Sequence, residues 1–251
     1  MPKKSHRVFI GTSGWNYKHW KGVFYPNGLP AAKWFGHYIK HFDTVEINNT
    51  FYNLPATAVF KKWRRQAPAG FVYAVKANRF ITHMKKLKDP EKPLKRFFSR
   101  TRHLEDNLGP VLYQLPPRWK LDPERLEAFL KNLPAGRTHV FEFRDDSWHA
   151  DEVFTLLERY DASFCVHDMP CVKCPEIATG KAAYLRFHGA ASRYAGGYSA
   201  RVLRKWTKWA VSQAKKRDVY IYFNNDAEGR AVKDAKRLIE MVTGCRATIF
   251  M

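Results

Sequence analysis

Thr138-His139-Val140-Phe141-Glu142-Phe143-Arg144 decides how the chain folds. Its middle is rich in β-branched and aromatic residues, and it ends in a strict alternation of apolar and charged side chains. Successive side chains of a strand point to opposite faces, so Phe141 and Phe143 share one face while Glu142 and Arg144 share the other. The same parity recurs outward in both directions. Thr44–Asn48 sets Val45 and Ile47 against Glu46 and Asn48. Ala183–His188 sets Leu185 and Phe187 against Tyr184, Arg186 and His188. Phe71–Lys76 puts Lys76 with Ala74 and Val72, and Val111–Leu115 carries Gln114 between Tyr113 and Leu115. Val219–Asn224 places Tyr222 and Asn224 opposite Ile221 and Phe223. With Val8–Gly11 and Ser163–Asp168 the pattern predicts eight strands.

Helical stretches separate these strands. The periodicity predicts helices over Ala31–Phe42, Thr57–Ala67, Leu94–Leu108, Pro123–Leu133, Trp148–Tyr160, Ala200–Arg217 and Arg230–Val242. Strand–helix alternation specifies a parallel sheet, and eight strands in 251 residues suit a single TIM (β/α)8 barrel domain over 1–251, its core spanning about residues 8–243. The connection Met169–Lys181 is short and holds Pro170 and Pro175, so the sixth βα unit is expected to be degenerate.

Composition narrows the function. The chain has 44 Lys+Arg against 23 Asp+Glu, a formal charge of +21, and 45% hydrophobic residues. That charge favours anionic partners, either an anionic small molecule or nucleic acid. No run approaches the roughly 18 apolar residues of a membrane span, so no membrane partner is expected. The first residues, Met1-Pro2-Lys3-Lys4-Ser5-His6-Arg7, lack the apolar core of a secretory signal, and a cytoplasmic location is expected. Four cysteines in this length are no disulfide framework.

Further stretches carry a family resemblance. They are Gly11-Thr12-Ser13-Gly14-Trp15 with Trp20 and Phe24-Tyr25-Pro26, Thr44–Asn48 running into Thr50-Phe51-Tyr52, and Lys76 followed by Ile81-Thr82-His83. Gln114-Leu115-Pro116-Pro117, Glu142-Phe143-Arg144 with Ser147-Trp148, Arg186-Phe187-His188-Gly189, Tyr198-Ser199 and Tyr222-Phe223-Asn224-Asn225 complete the set. Together they resemble the YecE-like family, domain of unknown function 72, over nearly the whole chain. The resemblance implies a TIM barrel and brings no reaction with it.

Barrel active sites are built at the C-terminal ends of the strands. Glu46, Lys76, Glu142 and Arg144 sit there on the axial face and are the candidate catalytic groups; the competing reading is a closed salt-bridge network filling the barrel. Asn48 and Gln114 belong to the same ends. Trp15, Tyr52, Trp148 and Tyr198 are expected to ring the mouth, where aromatic faces stack bases or sugars. An anion site is expected from Arg186, His188 and Arg193, the Gly196-Gly197 turn before Ser199, and Asn224 and Asn225. No cofactor motif is present, which disfavours an oxidoreductase. A divalent metal on Glu46, Glu142, His167, Asp168 or His188 fits poorly, because cations outnumber carboxylates there and parity separates His167 from Asp168. Cys171-Val172-Lys173-Cys174 is a lone CxxC without a second ligand pair. Two classes remain, an enzyme of hydrolase type acting on a phosphate-bearing substrate or nucleic acid, and a noncatalytic polyanion-binding barrel.

Overall fold

The computed structural model describes residues 6–170, 173–191 and 194–249, with side chains through residue 245. All eight expected strands form: β1 Val8–Thr12, β2 Thr44–Ile47, β3 Val72–Lys76, β4 Leu108–Gln114, β5 His139–Glu142, β6 Ser163–Asp168, β7 Ala182–Phe187 and β8 Asp218–Phe223. They make one sheet in the order β1-β8-β7-β6-β5-β4-β3-β2, with parallel register wherever it is resolved. That sequential order is the one a (β/α)8 barrel requires. The helices are α1 Trp34–Tyr38, α2 Asn49–Tyr52, α3 Thr57–Gln66, α4 Glu91–Thr101, α5 Pro123–Lys131, α6 Asp151–Arg159, α7 Ala200–Gln213 and α8 Arg230–Ile249. Among the described residues between β6 and β7 there is no helix, as the two prolines suggested.

Two boundaries differ from expectation for local reasons. The stretch read as a helix over Leu94–Leu108 ends its α-helical part at Thr101. It continues as a tight 3-10 segment, Arg102–Asn107, that Glu105 breaks by adopting φ +51°, and Leu108 already belongs to β4. The stretch from Ala31 to Phe42 yields only a 3-10 turn, Ala31–Lys33, and the short α1.

The chain packs as two compact units, residues 1–45 with 166–174 and 182–251, and residues 46–165 with 175–181. In the second unit Phe141 stacks on Tyr113 and meets Phe129 of α5 edge-on. Phe143 stacks on Trp148 and Phe164. These contacts put the apolar face of β5 against helices, and hence Glu142 and Arg144 on the opposite face. In the first unit Phe187 stacks on Phe223 and meets Trp206 of α7, which turns Arg186 and His188 away from that helix.

The end strands β1 and β2 are joined through a side chain. The buried Tyr38 hydroxyl donates to Thr44 O at 3.0 Å and accepts from Thr12 N–H at 3.1 Å. Burial pushes its pKa up, so it keeps its proton for this bridge. Thr44 Oγ1 also shares a hydrogen bond with Tyr222 Oη at 2.7 Å. Gly11 permits the approach, since a Cβ there would lie 2.4 Å from Thr44 O. Gly11→Ala is therefore expected to cost about 1–3 kcal/mol of stability, the scale of an overpacked core. Chemical denaturation checks this, and an unchanged midpoint would contradict it.

Candidate active site and its family

Within the second unit the strand ends carry three polar side-chain pairs, Asn48 with Glu46, Lys76 with Gln114 and Glu142 with Arg144. Asn48 Nδ2 donates to Glu46 Oε1 at 3.1 Å, and Asn48 Oδ1 is buried with no hydrogen-bond partner among the described residues. Lys76 Nζ donates to Gln114 Oε1 at 2.7 Å. Gln114 is the register partner of Glu142 on the neighbouring strand, and the Glu142 carboxylate pairs with the Arg144 guanidinium. Glu46 and Glu142 are fully buried, and Lys76 is 9% exposed. Burying an ion costs several kcal/mol without a partner, and Glu142 has one in Arg144.

The loop after β2 locks this row. Thr50 Oγ1 donates to Lys76 O at 2.6 Å and to Ile47 O at 3.2 Å, clamping the ends of β2 and β3 together. Phe51 follows, and the Lys76 ammonium lies 4.4 Å over its ring. That contact is a cation–π attraction in a dry setting. Asn78 Nδ2 donates to Thr50 O at 2.9 Å, while its Oδ1 accepts from Phe80 N–H at 3.0 Å. Phe80 opens a single π-helical turn, Phe80–Met84. Such turns are rare and concentrate at functional sites.

That turn delivers His83, which composition and strand parity did not single out. Its ring meets Phe51 edge-on at 4.9 Å, and its Nδ1 shares a hydrogen bond with Thr82 Oγ1 at 2.9 Å. Burial first, then the positive charges of Lys76, Arg144 and Arg79, hold its pKa down at about 4. At neutral pH His83 is an uncharged imidazole in the field of three cations. The only sequence signal for it was its place in the Ile81-Thr82-His83 stretch after Lys76.

The remaining candidates divide. Tyr52 is exposed at 69%. Trp148, expected at the mouth, is fully buried, stacks on Phe143 and donates its Nε1–H to Trp119 O. It packs the core because the 3-10 turn Asp146–Trp148, capped by Asp145 accepting from Ser147 N–H, swings it inward.

In the first unit Trp15 is half-buried against Phe35. Arg186 and His188 are buried, and Asn224 Nδ2 approaches His188 Nδ1 at 3.4 Å. Tyr198 and Asn225 are buried too and serve the loop itself. Tyr198 Oη accepts from Gly189 N–H at 2.9 Å, and Tyr198 N–H and Asn225 Nδ2 donate to Asp234 Oδ2. A 570 Å³ cavity borders Gly196 and Gly197, lined also by Arg230, Lys233 and Arg237. Although Asn225 Nδ2 donates to Gly196 O at 2.9 Å, Arg186, His188, Asn224 and Asn225 do not line it. Strand parity explains this: Arg186 and His188 point away from the helices that supply those cations. Arg193 and Cys171 lie outside the described residues; Cys174 Sγ accepts from His167 N–H at 3.4 Å. Among the described residues no group of three or more His, Cys, Asp or Glu is placed to hold a metal ion, and no helix is long and apolar enough to cross a membrane.

The family described as "Protein of unknown function DUF72" matches the chain over residues 9–248. The chain belongs to this family. The UPF0759 protein YunF of Bacillus subtilis is 26% identical over 272 residues, covering 94% of each chain. The UPF0759 protein YecE of Escherichia coli is 28% identical over 146 residues, 57% of this chain and 50% of that one. A crystal structure of a DUF72 family protein from Thermotoga maritima superposes with a TM-score of 0.87 at 30% identity, covering 95% of this chain and 100% of that chain. The fold of this DUF72 chain is thus a TIM barrel.

His83 is expected to titrate near pH 4 by NMR in the folded protein, and Lys76→Met to move that midpoint upward toward the ordinary 6.5. Because the folded pKa lies below the unfolded one, the stability contributed by neutral His83 is full above pH 6.5 and is lost as the pH falls toward 4. A parent midpoint near 6.5, or one that Lys76→Met leaves unmoved, would rule this out.

Proposed function

We propose that this chain is an enzyme of hydrolase type acting on a phosphate-bearing substrate, with nucleic acid within its range. One observation carries the reading: the neutral imidazole of His83 sits in the field of cations that include Lys76 and Arg144. The cations suit the anionic oxygens of a phosphoryl group, and charge-assisted hydrogen bonds to such oxygens are the strong ones. Gln114 orients Lys76, and Glu142 orients Arg144. In the tautomer whose Nδ1–H donates to Thr82 Oγ1, Nε2 of His83 is the nitrogen that takes a proton from an attacking water. Asn48 Oδ1 offers an acceptor for a substrate hydroxyl or amine. Proton uptake by His83 becomes easier once the substrate's negative charge offsets the two cations, so the base is poised by the substrate itself.

A panel of phosphomonoesters and phosphodiesters tests this. Turnover of at least one member is expected, and His83→Gln is expected to lower kcat by about 100-fold or more, the usual share of general acid–base catalysis. The same variant should bind inorganic phosphate as the parent does. Phosphate binding with no turnover across the panel would overturn the enzyme and favour a noncatalytic polyanion-binding barrel, to which the net charge of +21 also lends itself.

A further inference from the structure

The second unit holds a further concavity next to the loop that locks the Lys76–Gln114–Glu142 row, with Asn78 and Phe80 on its wall. It encloses about 740 Å³ between the end of α2, the π-helical turn and the start of α4. That size falls within the range of small-ligand pockets. Two aromatic side chains on its walls face water, Tyr52 at 69% and Phe80 at 43% exposure. Among the described residues they are two of the few large apolar side chains left in solvent. Lys92 and Arg96 of α4 line the same cavity. They stand four residues apart on one helix, so two like charges face each other, an arrangement that weakens a helix. Among the described residues no ion pair or side-chain hydrogen bond holds either one, whereas Lys85 at the rim is already engaged by Asp89 at 2.6 Å. Glu91, also on the wall, lies in the first turn of α4, where a carboxylate complements the helix dipole. Asn53 adds a side-chain amide, able to donate and accept at once.

We infer that this cavity binds one nucleotide unit, its base stacked on Tyr52 or Phe80 and its phosphate held by Lys92 and Arg96. Stacking on an aromatic wall is open to every base, because each has a π-face. A neutral sugar would stack as well, yet would leave both cations without a counter-charge. The Asn53 amide meets the hydrogen-bonding edge of a base, which presents donors and acceptors side by side. The inference rests on the reading of the chain as a protein of phosphate-bearing ligands, and it adds base recognition to it.

The test is a fluorescence anisotropy titration of the full chain with labelled octathymidylate, at several salt concentrations. Tyr52→Ala and Phe80→Ala leave the net charge unchanged and touch exposed side chains. The double variant is expected to bind about tenfold more weakly or worse, with the salt slope unaltered. Lys92→Ala with Arg96→Ala is expected to lower the slope by about 0.7 for each phosphate that these cations neutralise in the parent. Arg201→Ala with Arg204→Ala, on exposed positions of α7, removes the same charge and serves as the control. Thymidine monophosphate in competition separates the two sources of the ligand. Competition that depends on Tyr52 or Phe80 assigns the cavity to free nucleotides, and its absence alongside Tyr52- and Phe80-dependent strand binding assigns it to a nucleic-acid strand. The inference is overturned if the aromatic variants bind like the parent, or if the α7 control weakens binding as much as the α4 pair does. Because no turnover is measured, such a failure leaves the His83 chemistry to its own assay.

Discussion

A carboxylate taken fully out of water must be stabilised by partners, and Glu142 is such a carboxylate. Its guanidinium partner, Arg144, comes from the same strand end two residues on. That pair cannot form unless β5 presents its charged side to the interior of the sheet and its phenylalanines to the helices. The register of β4 then brings Gln114 beside Glu142, and Gln114 in turn holds Lys76. The site is built of neighbouring pairs, Glu142 with Arg144 and Glu46 with Asn48 along one strand end and Lys76 with Gln114 across two.

The two cations in those pairs reach beyond their own partners. They bear on His83 through space and, with burial, keep its imidazole neutral. Phe51 touches both Lys76 and His83, so the cation and the neutral imidazole share one aromatic wall. Thr50 and Asn78 fix that wall through backbone carbonyls and a backbone N–H, which ties the loop after β2 to the strand ends. A site organised this way is set before any ligand arrives, the condition under which electrostatic stabilisation acts most strongly.

The strands were legible because period-two alternation leaves an unambiguous mark, and Glu46, Glu142 and Arg144 followed from it directly. The Lys76–Gln114 contact was not legible, since parity gives a side and no partner. His83 escaped because a π-helical turn has no period to read in sequence. Trp148 misled for a different reason: an aromatic in a βα loop looks the same whether it lines a mouth or plugs a core, and the 3-10 turn decides between them. Which cations would border the Gly196-Gly197 turn was not legible either: Arg230, Lys233 and Arg237 line its cavity, while parity turns Arg186 and His188 to the other face of β7. Glu105, at positive φ, breaks the 3-10 segment into which α4 runs, where propensity would have continued the helix to Leu108.

Lys76 and Arg144 thus add, with Arg79, to the larger effect of burial on His83, and an anion seated on Lys76 and Arg144 would offset their part. NMR titration of the His83 ring, with and without saturating inorganic phosphate, reads that part at the proton it acts on. Phosphate bound between the two cations is predicted to raise the His83 midpoint clearly above its value of about 4 in the free protein. A midpoint that phosphate leaves in place, in protein shown by calorimetry to have bound it, would refute the coupling of the two cations to the imidazole.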